Sequence, residues 1–490
     1  MHSVFSKRIL TTKSGAFAQR KLMTSRLIMN PSMFFHQASS AGFRSYNCAL
    51  NPVMKRIPPF GIKQLFRTPA RGYVSDLAEA HEMYGLFRKG QNIGYLSTLM
   101  EDPSDAKLVT KENYKDELNF YHGIPELAEN IFDKLVQIKV SSCSKVPFNS
   151  PTGTWLQVIY PFAENQRLAD KYRKFADGHL LVGKLLEEID ALCAESAYRF
   201  IRGNSNDLSK VSKVTAAVDQ VEFKTPLLVD ENLKINTYVI YCGSSTIYTK
   251  ADIYSQEKGS DKWKYKGHTI FIMAARKGDK AYKLPKMVFE GEEYPDVAKP
   301  REALGEELKN YIINLNTDLF KQPPNRRESE HIYELFKKQK FGNPKEYKTV
   351  SDTVLSHNTL MQPQETNTYG KIFGGYLMNR AAESAVMNVK KFTEEVNPEI
   401  LYIDTIKFIK PVEVGHIMQF ISRITYTTGN MMRVAVSALD ITEKNKEGDL
   451  TNEFHFVFKL KGQYNIYPGT YYDSLLYLEG KRRTEYLLNF

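Results

Sequence analysis

Two stretches of the chain place apolar residues at helical spacing, and each is followed by strand-like runs. In residues 184–201, Leu185, Ile189, Leu192 and Ala197 recur on one face; in residues 376–392, Leu377, Ala381, Ala385 and Val389 do. Both are rich in Ala and Ser, which suits a helix enclosed on most sides. Runs rich in Val, Ile, Thr, Tyr and Phe follow, at 233–241, 246–255 and 265–275 after the first helix, and at 416–426, 431–442 and 452–460 after the second. Gly243-Ser244 and Gly429-Asn430 separate consecutive runs, as an antiparallel meander requires. A further helix is predicted over 125–140, apolar at Leu127, Ile131, Leu135 and Ile138. A charged helical connector is predicted over 298–348, with Leu304, Leu308, Ile312 and Leu315 at helical spacing and a break at Pro323-Pro324.

The two β-rich halves repeat one another. VDQVEFKTPLLV at 218–229 matches IDTIKFIKPVEV at 403–414, so Asp219, Phe223 and Pro226 meet Asp404, Phe408 and Pro411 at an offset of 185; Phe271 meets Phe456 at the same offset. Two long copies indicate a duplicated domain rather than a solenoid. From Gly183 to Asp219 is 36 residues and from Gly375 to Asp404 is 29, which places the extra seven in the polar loop 203–210. Asp219 and Asp404, near strand starts in both copies, read as turn-forming residues.

Charge is distributed unevenly. The chain has 490 residues and a formal charge of +11, yet residues 1–75 carry 12 Lys and Arg and no Asp or Glu, leaving 55 basic against 56 acidic residues in the rest. An acid-free, Arg- and Ser-rich leader has the composition of a mitochondrial transit peptide, with cleavage expected near Tyr73/Val74; a basic arm for nucleic acid would not stop so abruptly. The nearly neutral body gives no case for a polyanion-binding surface, so no nucleic-acid partner is expected. No apolar run approaches 18 residues, so no membrane-spanning helix is expected. Cys48, Cys143, Cys193 and Cys242 show no paired spacing, and His179, His357 and His416 lack metal-ligand spacing, so neither a disulfide framework nor a metal site is expected.

A buried helix wrapped by a curved antiparallel sheet is the hotdog fold, and two copies make an α+β double hotdog. The segment QPQETNTYGKIFGGYLMNRAAESA, Gln362 to Ala385, carries a resemblance to acyl-CoA thioesterases with two fused hotdog domains, above all their mitochondrial branch. Its core is N-x-x-G-x-x-x-G-G from Asn367 to Gly375. Tyr160–Phe162, GKLLEEIDAL at 183–192 and YYDSLLYLEGKRR at 471–483 support it. The expected organisation is a transit peptide (1–73), an extension (74–144), hotdog domains at 145–280 and 349–465, a helical linker (281–348) and a basic tail (466–490).

The resemblance implies a carboxylate seven residues past the glycine that opens the helix and an asparagine eight before it, taken from opposite copies. Copy one has Asp190 seven after Gly183, but Phe175 at the asparagine position. Copy two has Asn367 eight before Gly375, but Ala382 at the carboxylate position. One complete site, Asp190 with Asn367, is therefore expected, and one decayed site. Thioester hydrolysis needs a base or nucleophile, here Asp190, and stabilisation of the developing oxyanion. A helix N-terminus at Gly374 and Gly375 suits the oxyanion, and the absence of Cβ would let substrate approach the backbone. Asn367 would orient the water or bind the thioester oxygen. Read from periodicity alone, Asp190 is first a solvated helix carboxylate paired with Lys184 or Lys174; the complementary loss across the copies reverses that reading. Glu383, beside Ala382, is a lesser candidate because one residue turns the side chain by about 100°.

The substrate implied is an acyl-CoA, with coenzyme A part of the substrate and no separate cofactor. Lys481, Arg482 and Arg483, then Lys407 and Lys410, are candidate contacts for its phosphates. The resemblance further implies the mitochondrial matrix and a homo-oligomer of double units. The alternative is an inactive acyl-CoA-binding or structural subunit of a mitochondrial assembly. A hydratase is disfavoured because no G-D-x-N-P-x-H stretch occurs, and a serine esterase because no G-x-S-x-G elbow occurs.

Overall fold

The computed structural model describes residues 102–488 except 111, 119–135, 145, 176–177, 203–210, 219–220, 224, 279, 289–321, 342–347, 368, 396, 405 and 444–447. The leader and its cleavage point, Asp219, the loop 203–210 and the leucines of 304–315 lie outside the described residues.

One large, almost wholly antiparallel sheet carries the architecture. Its main strands are β1 (Ala106–Leu108), β2 (Gln137–Ser141), β3 (Leu156–Tyr160), β4 (Val211–Val218), β5 (Val221–Phe223), β6 (Glu231–Cys242), β7 (Thr246–Glu257) and β8 (Lys264–Lys277) in the first half. The second half supplies β9 (Leu355–Leu360), β10 (Glu399–Ile403), β11 (Ile406–Phe408), β12 (Ile417–Thr428), β13 (Met431–Asp440) and β14 (Asp449–Lys459). The order is β1-β2-β3-β6-β7-β8-β4-β11-β14-β13-β12-β9, with β5 paired to β8 and β10, and β10 paired to β14. The halves are thus stitched twice: β4 pairs with β11 and β10 with β5. These are equivalent contacts, because β10 repeats β4 and β11 repeats β5 at the offset of 185.

The repeat extends to the irregularities. The β6–β7 ladder slips between Val239 and Tyr241, and the β12–β13 ladder between Ile424 and Tyr426, both 185 residues on. The β4–β8 ladder skips Ala216, and the β10–β14 ladder skips Leu401, again at that offset. A bulge adds a residue and re-aims its neighbours. Its recurrence at equivalent positions shows that the two halves share one backbone plan. Gly429, at φ +55°, makes the tight turn between β12 and β13 that the sequence predicts.

The long helix predicted in each half forms. Helix α2 (Val182–Arg202) lies on the first half of the sheet against β4, β6, β7 and β8; helix α4 (Gly374–Thr393) lies on the second half against β9, β12, β13 and β14. Leu185, Ile189, Leu192 and Ala197 are buried, as are Leu377, Ala381, Ala385 and Val389. The short α1 (Gln166–Tyr172) is capped by Asn165, whose side chain accepts from the Leu168 N–H. Its Tyr172 and the β3 residue Tyr160 donate to the buried Glu188 carboxylate. Burial pushes Glu188 up to about 7, and it does not line the cleft described below. The Tyr160–Phe162 motif therefore serves this aromatic packing.

Two expectations change. Residues 137–140, expected at the end of a helix, form β2, because Ile138 and Val140 point inward while Gln137 and Lys139 alternate outward; the period is two. The rest of that predicted helix falls largely outside the described residues. Residues expected as a basic tail fold as α5 (Tyr471–Leu488), which packs on β12, while the connector contributes α3 (Arg326–Phe341), starting just past Pro323-Pro324.

Candidate active site

The site begins with two glycines that let α2 and α4 run antiparallel in close contact. A Cβ on Gly375 would stand 2.7 Å from the Glu187 Cα, and one on Gly183 would stand 3.1 Å from the Asn379 Cα and 3.2 Å from the Ala382 Cβ. Each glycine thus faces the residue four past the other, and Asn379 Nδ2 donates to Glu187 Oε2 at 3.1 Å between them. The expectation that Gly375 lacks a side chain to admit substrate is corrected: that space holds the partner helix.

At this crossing the carboxylate of Asp190 meets the start of α4. The Gly375 N–H donates to Asp190 Oδ2 at 2.8 Å, and Thr215 Oγ1 donates to Oδ1 at 2.7 Å. The side chain is fully buried. Burial raises its pKa, the Thr215 hydroxyl and the Gly375 amide lower it, and Glu187 raises it, leaving it at about 7. The expected solvated pairing with Lys184 or Lys174 is not seen: Lys184 approaches Glu187, and Lys174 donates to the Pro398 carbonyl. The Gly375 N–H is taken by Asp190 and is not open to an oxyanion. The Gly374 N–H opens the helix and has no intrahelical acceptor.

A cleft of about 540 Å³ opens along this seam, lined by Ala191, Thr215, Asn367, Gly374, Phe408 and Lys410 among others. It brings together Asn367 and Gly374 from the second half with Thr215, which holds Asp190, from the first. Asn367 Oδ1 accepts from the Tyr369 and Lys371 N–H groups at 2.9 and 3.2 Å, so its carboxamide oxygen is committed to its own turn. Its NH₂ remains as donor.

The positions that repeat these residues in the other half carry different side chains. Ala382 packs on Gly183, and Ile400 stands where the repeat would place Thr215. Phe175, in the left-handed region at φ 53°, takes Lys390 over its ring at 3.9 Å. Glu383 turns away from Ala382 and pairs with Arg380 at 3.0 Å.

No protein-family model matches the chain. Among curated proteins it is similar to the mouse (Mus musculus) protein "Acyl-coenzyme A thioesterase 10, mitochondrial", 30% identical over 343 residues, which are 67% of this chain and 76% of the mouse protein. The chain belongs to the mitochondrial acyl-CoA thioesterase family. The human (Homo sapiens) "Acyl-coenzyme A thioesterase 9, mitochondrial" is 28% identical over 67% of this chain and 76% of its own length. Among solved structures, an acyl-CoA hydrolase from Staphylococcus aureus in complex with butyryl coenzyme A and coenzyme A covers 29% of this chain and 93% of its own, at 23% identity and a TM-score of 0.27. An acyl-ACP thioesterase from Bacteroides thetaiotaomicron covers 63% of this chain and all of its own, at 10% identity and 0.38.

In this thioesterase-family chain the expected phosphate contacts divide. Lys481, Arg482 and Arg483 lie on α5 and do not line the cleft. Lys481 pairs with Glu485 at 2.6 Å, Arg482 with Glu328 of α3 at 2.6 Å, and Arg483 with Asp404 at 3.1 Å and Glu479 at 2.9 Å. Arg482 and Arg483 thus tie α5 to α3 and to Asp404, while Lys481 pairs within α5. Asp404, expected to serve a turn, instead receives Arg433 and Arg483. Lys407 is exposed and does not line the cleft, while its strand neighbour Phe408 does. Lys410 lines the cleft and pairs with Asp449 at 3.2 Å. Thr215 and Lys213 were not singled out from the sequence; the one signal was the offset of 185, which sets Thr215 against an apolar Ile400.

Among the described residues, no group of three His, Cys, Asp or Glu could hold a metal ion, and no helix is long and apolar enough to cross a membrane.

Proposed function

We propose that the chain hydrolyses acyl-CoA to a carboxylic acid and coenzyme A in the mitochondrial matrix, as a double hotdog with one composite site at the seam of its halves. The observation that carries this reading is the bond between Asp190 and the Gly375 amide. It fixes a carboxylate from one half beside the helix start of the other, one hydroxyl behind a cleft that Thr215, Gly374 and Asn367 line.

Asp190 acts as general base. Both its oxygens hold a donor and neither faces solvent, which suits a base reached through the Thr215 hydroxyl better than a nucleophile that must touch the carbonyl carbon. A water held at Thr215 attacks the thioester carbon and passes its proton to Thr215 Oγ1 as the Thr215 hydroxyl proton moves to Asp190 Oδ1. The carbonyl π pair moves to oxygen, where Asn367 Nδ2 and the Gly374 N–H donate. Collapse breaks the C–S bond, and the departing thiolate takes a proton from the Thr215 hydroxyl as Asp190 returns its own to Thr215 Oγ1. A pKa near 7 lets one group do both. Double units associate further in this reading. The edge strand β9 and its neighbour β12 leave Leu360 and Ile417 exposed side by side.

Thiol release from a panel of acyl-CoAs tests it. Asp190→Asn should lower kcat by about 10²-fold or more, the scale of a positioned base, with the circular dichroism spectrum intact. Turnover at the wild-type rate would remove the assignment.

A further inference from the structure

The cleft holds a cation that the hydrolysis does not use. Lys213 precedes Thr215 by two residues in β4, so both side chains leave the same face of the strand. It lines the cleft yet is only 8% exposed. Its ammonium stands 4.0 Å from the centroid of the Tyr198 ring and 5.8 Å from that of Tyr369. Ring faces attract a cation but accept no strong hydrogen bond. Among the described residues no oxygen accepts from Lys213 Nζ and no carboxylate lies in ion-pair range. Burial holds the ammonium down to about 8, and the buried Glu195, which lines the same cleft, attracts it from beyond ion-pair range. Lys371 and Lys410 line the same cleft but already face Glu413 and Asp449.

The surroundings form a built pocket. Tyr369 belongs to the loop that carries Asn367, and its hydroxyl donates to the Val211 carbonyl at 2.9 Å, so a loop of the second half closes over Lys213 in the first. Tyr198 lies eight residues beyond Asp190 on α2, about 12 Å along the axis at the usual helical rise. A phosphopantetheine arm covers that distance without being fully extended. A thioester held at Asp190 therefore brings its first phosphate within reach of Lys213.

Resting on the acyl-CoA reading of this cleft, we propose that Lys213 binds a phosphate oxygen of the coenzyme A arm and is the residue by which the site prefers a CoA thioester to the same thioester on an uncharged thiol.

The test compares an acyl-CoA with the matching acyl-pantetheine, which has the same acyl group and arm but no phosphate. Lys213→Met should raise KM for acyl-CoA about tenfold with kcat within twofold, and leave acyl-pantetheine kinetics within twofold of wild type. Lys213→Arg should keep most of the preference. An unchanged KM for acyl-CoA would overturn the assignment, as would equal losses on both substrates, which mark a packing role. A loss confined to CoA thioesters with a second carboxylate on the acyl chain would overturn it too, by moving the anion to the other end of the substrate. Calorimetric binding of free coenzyme A separates this proposal from the hydrolytic one. It should weaken about tenfold in Lys213→Met and persist in Asp190→Asn, whether or not the wild type turns over; equal affinity in wild type and Lys213→Met refutes the phosphate contact.

Discussion

Asp190 accepts a hydrogen bond at 2.8 Å from the backbone N–H of Gly375, a residue 185 positions later on the other half of the chain. That bond joins the carboxylate to the seam between the halves, and its surroundings set measurable behaviour.

The pH–rate profile should show the carboxylate. With Asp190 at about 7, the base is increasingly protonated below that value. kcat/KM for acyl-CoA should fall about tenfold per pH unit on the acid side and level off above. The Thr215 hydroxyl pulls this pKa down and in the proposed mechanism holds the attacking water, so Thr215→Val should lower kcat and move the acid limb of the remaining activity to higher pH. A limb that stays in place would separate Thr215 from the titrating group.

Stability should respond with the opposite sense. The folded pKa of Asp190 lies above its unfolded value of about 3.9, so between the two the native state binds more protons. Its contribution is present below about pH 4 and is lost as pH rises through about 7. The loss is on the order of a few kcal/mol for a buried carboxylate. Asp190→Asn does not titrate, so its melting temperature should exceed that of the wild type at pH 8, by a margin that shrinks toward pH 5. Parallel melting curves at the two pH values would contradict the buried, ionising carboxylate.

The helix crossing leaves no room for a methyl group. Gly375→Ala would set its Cβ 2.7 Å from the Glu187 Cα, against backbone that cannot rotate away. Urea unfolding should show a loss of about 3 kcal/mol, the upper range for overpacking a close contact. An unfolding midpoint equal to wild type would mean that the helices separate freely.

The C-terminal cations should matter for folding rather than for substrate. Arg482→Ala should leave KM for acyl-CoA within twofold, because its side chain serves Glu328 and the Gln322 and Pro323 carbonyls. Arg483→Ala takes a partner from the buried Asp404 and should lower stability by about 2–4 kcal/mol, somewhat less than the full cost of stranding a buried charge because Arg433 still holds Asp404. A raised KM in Arg482→Ala would restore the cluster as a phosphate contact.

The architecture was legible wherever local pattern and packing agree. The apolar stripes of 184–201 and 376–392 and the alternating runs after them became helices and strands within a few residues of expectation, because burial rewards the period that each encodes. The residues each copy lacks point Asp190 to Asn367 of the second copy; the partner it holds there is the Gly375 amide. What stayed hidden depended on three-dimensional neighbours. Spacing does not show that the Gly375 amide is already used by Asp190, or that Thr215 reaches the same carboxylate from a strand 25 residues away. Nor does a dense basic run reveal Glu328 and Asp404, which arrive from elements far along the chain. Residues 137–140 misled because Leu127, Ile131, Leu135 and Ile138 have helical spacing, while Ile138 and Val140 also fit a strand.

The double stitching of β4 to β11 and of β10 to β5 fixes how specialisation can proceed. Two separate identical subunits meeting along such a seam would form two equivalent catalytic positions, and any substitution would strike both together. Joined in a single polypeptide, each helix answers for one position only. On the proposed reading the face built on Gly183, Ala382, Ile400 and Phe175 carries no chemistry, and it can drift in sequence as long as it still holds the seam closed.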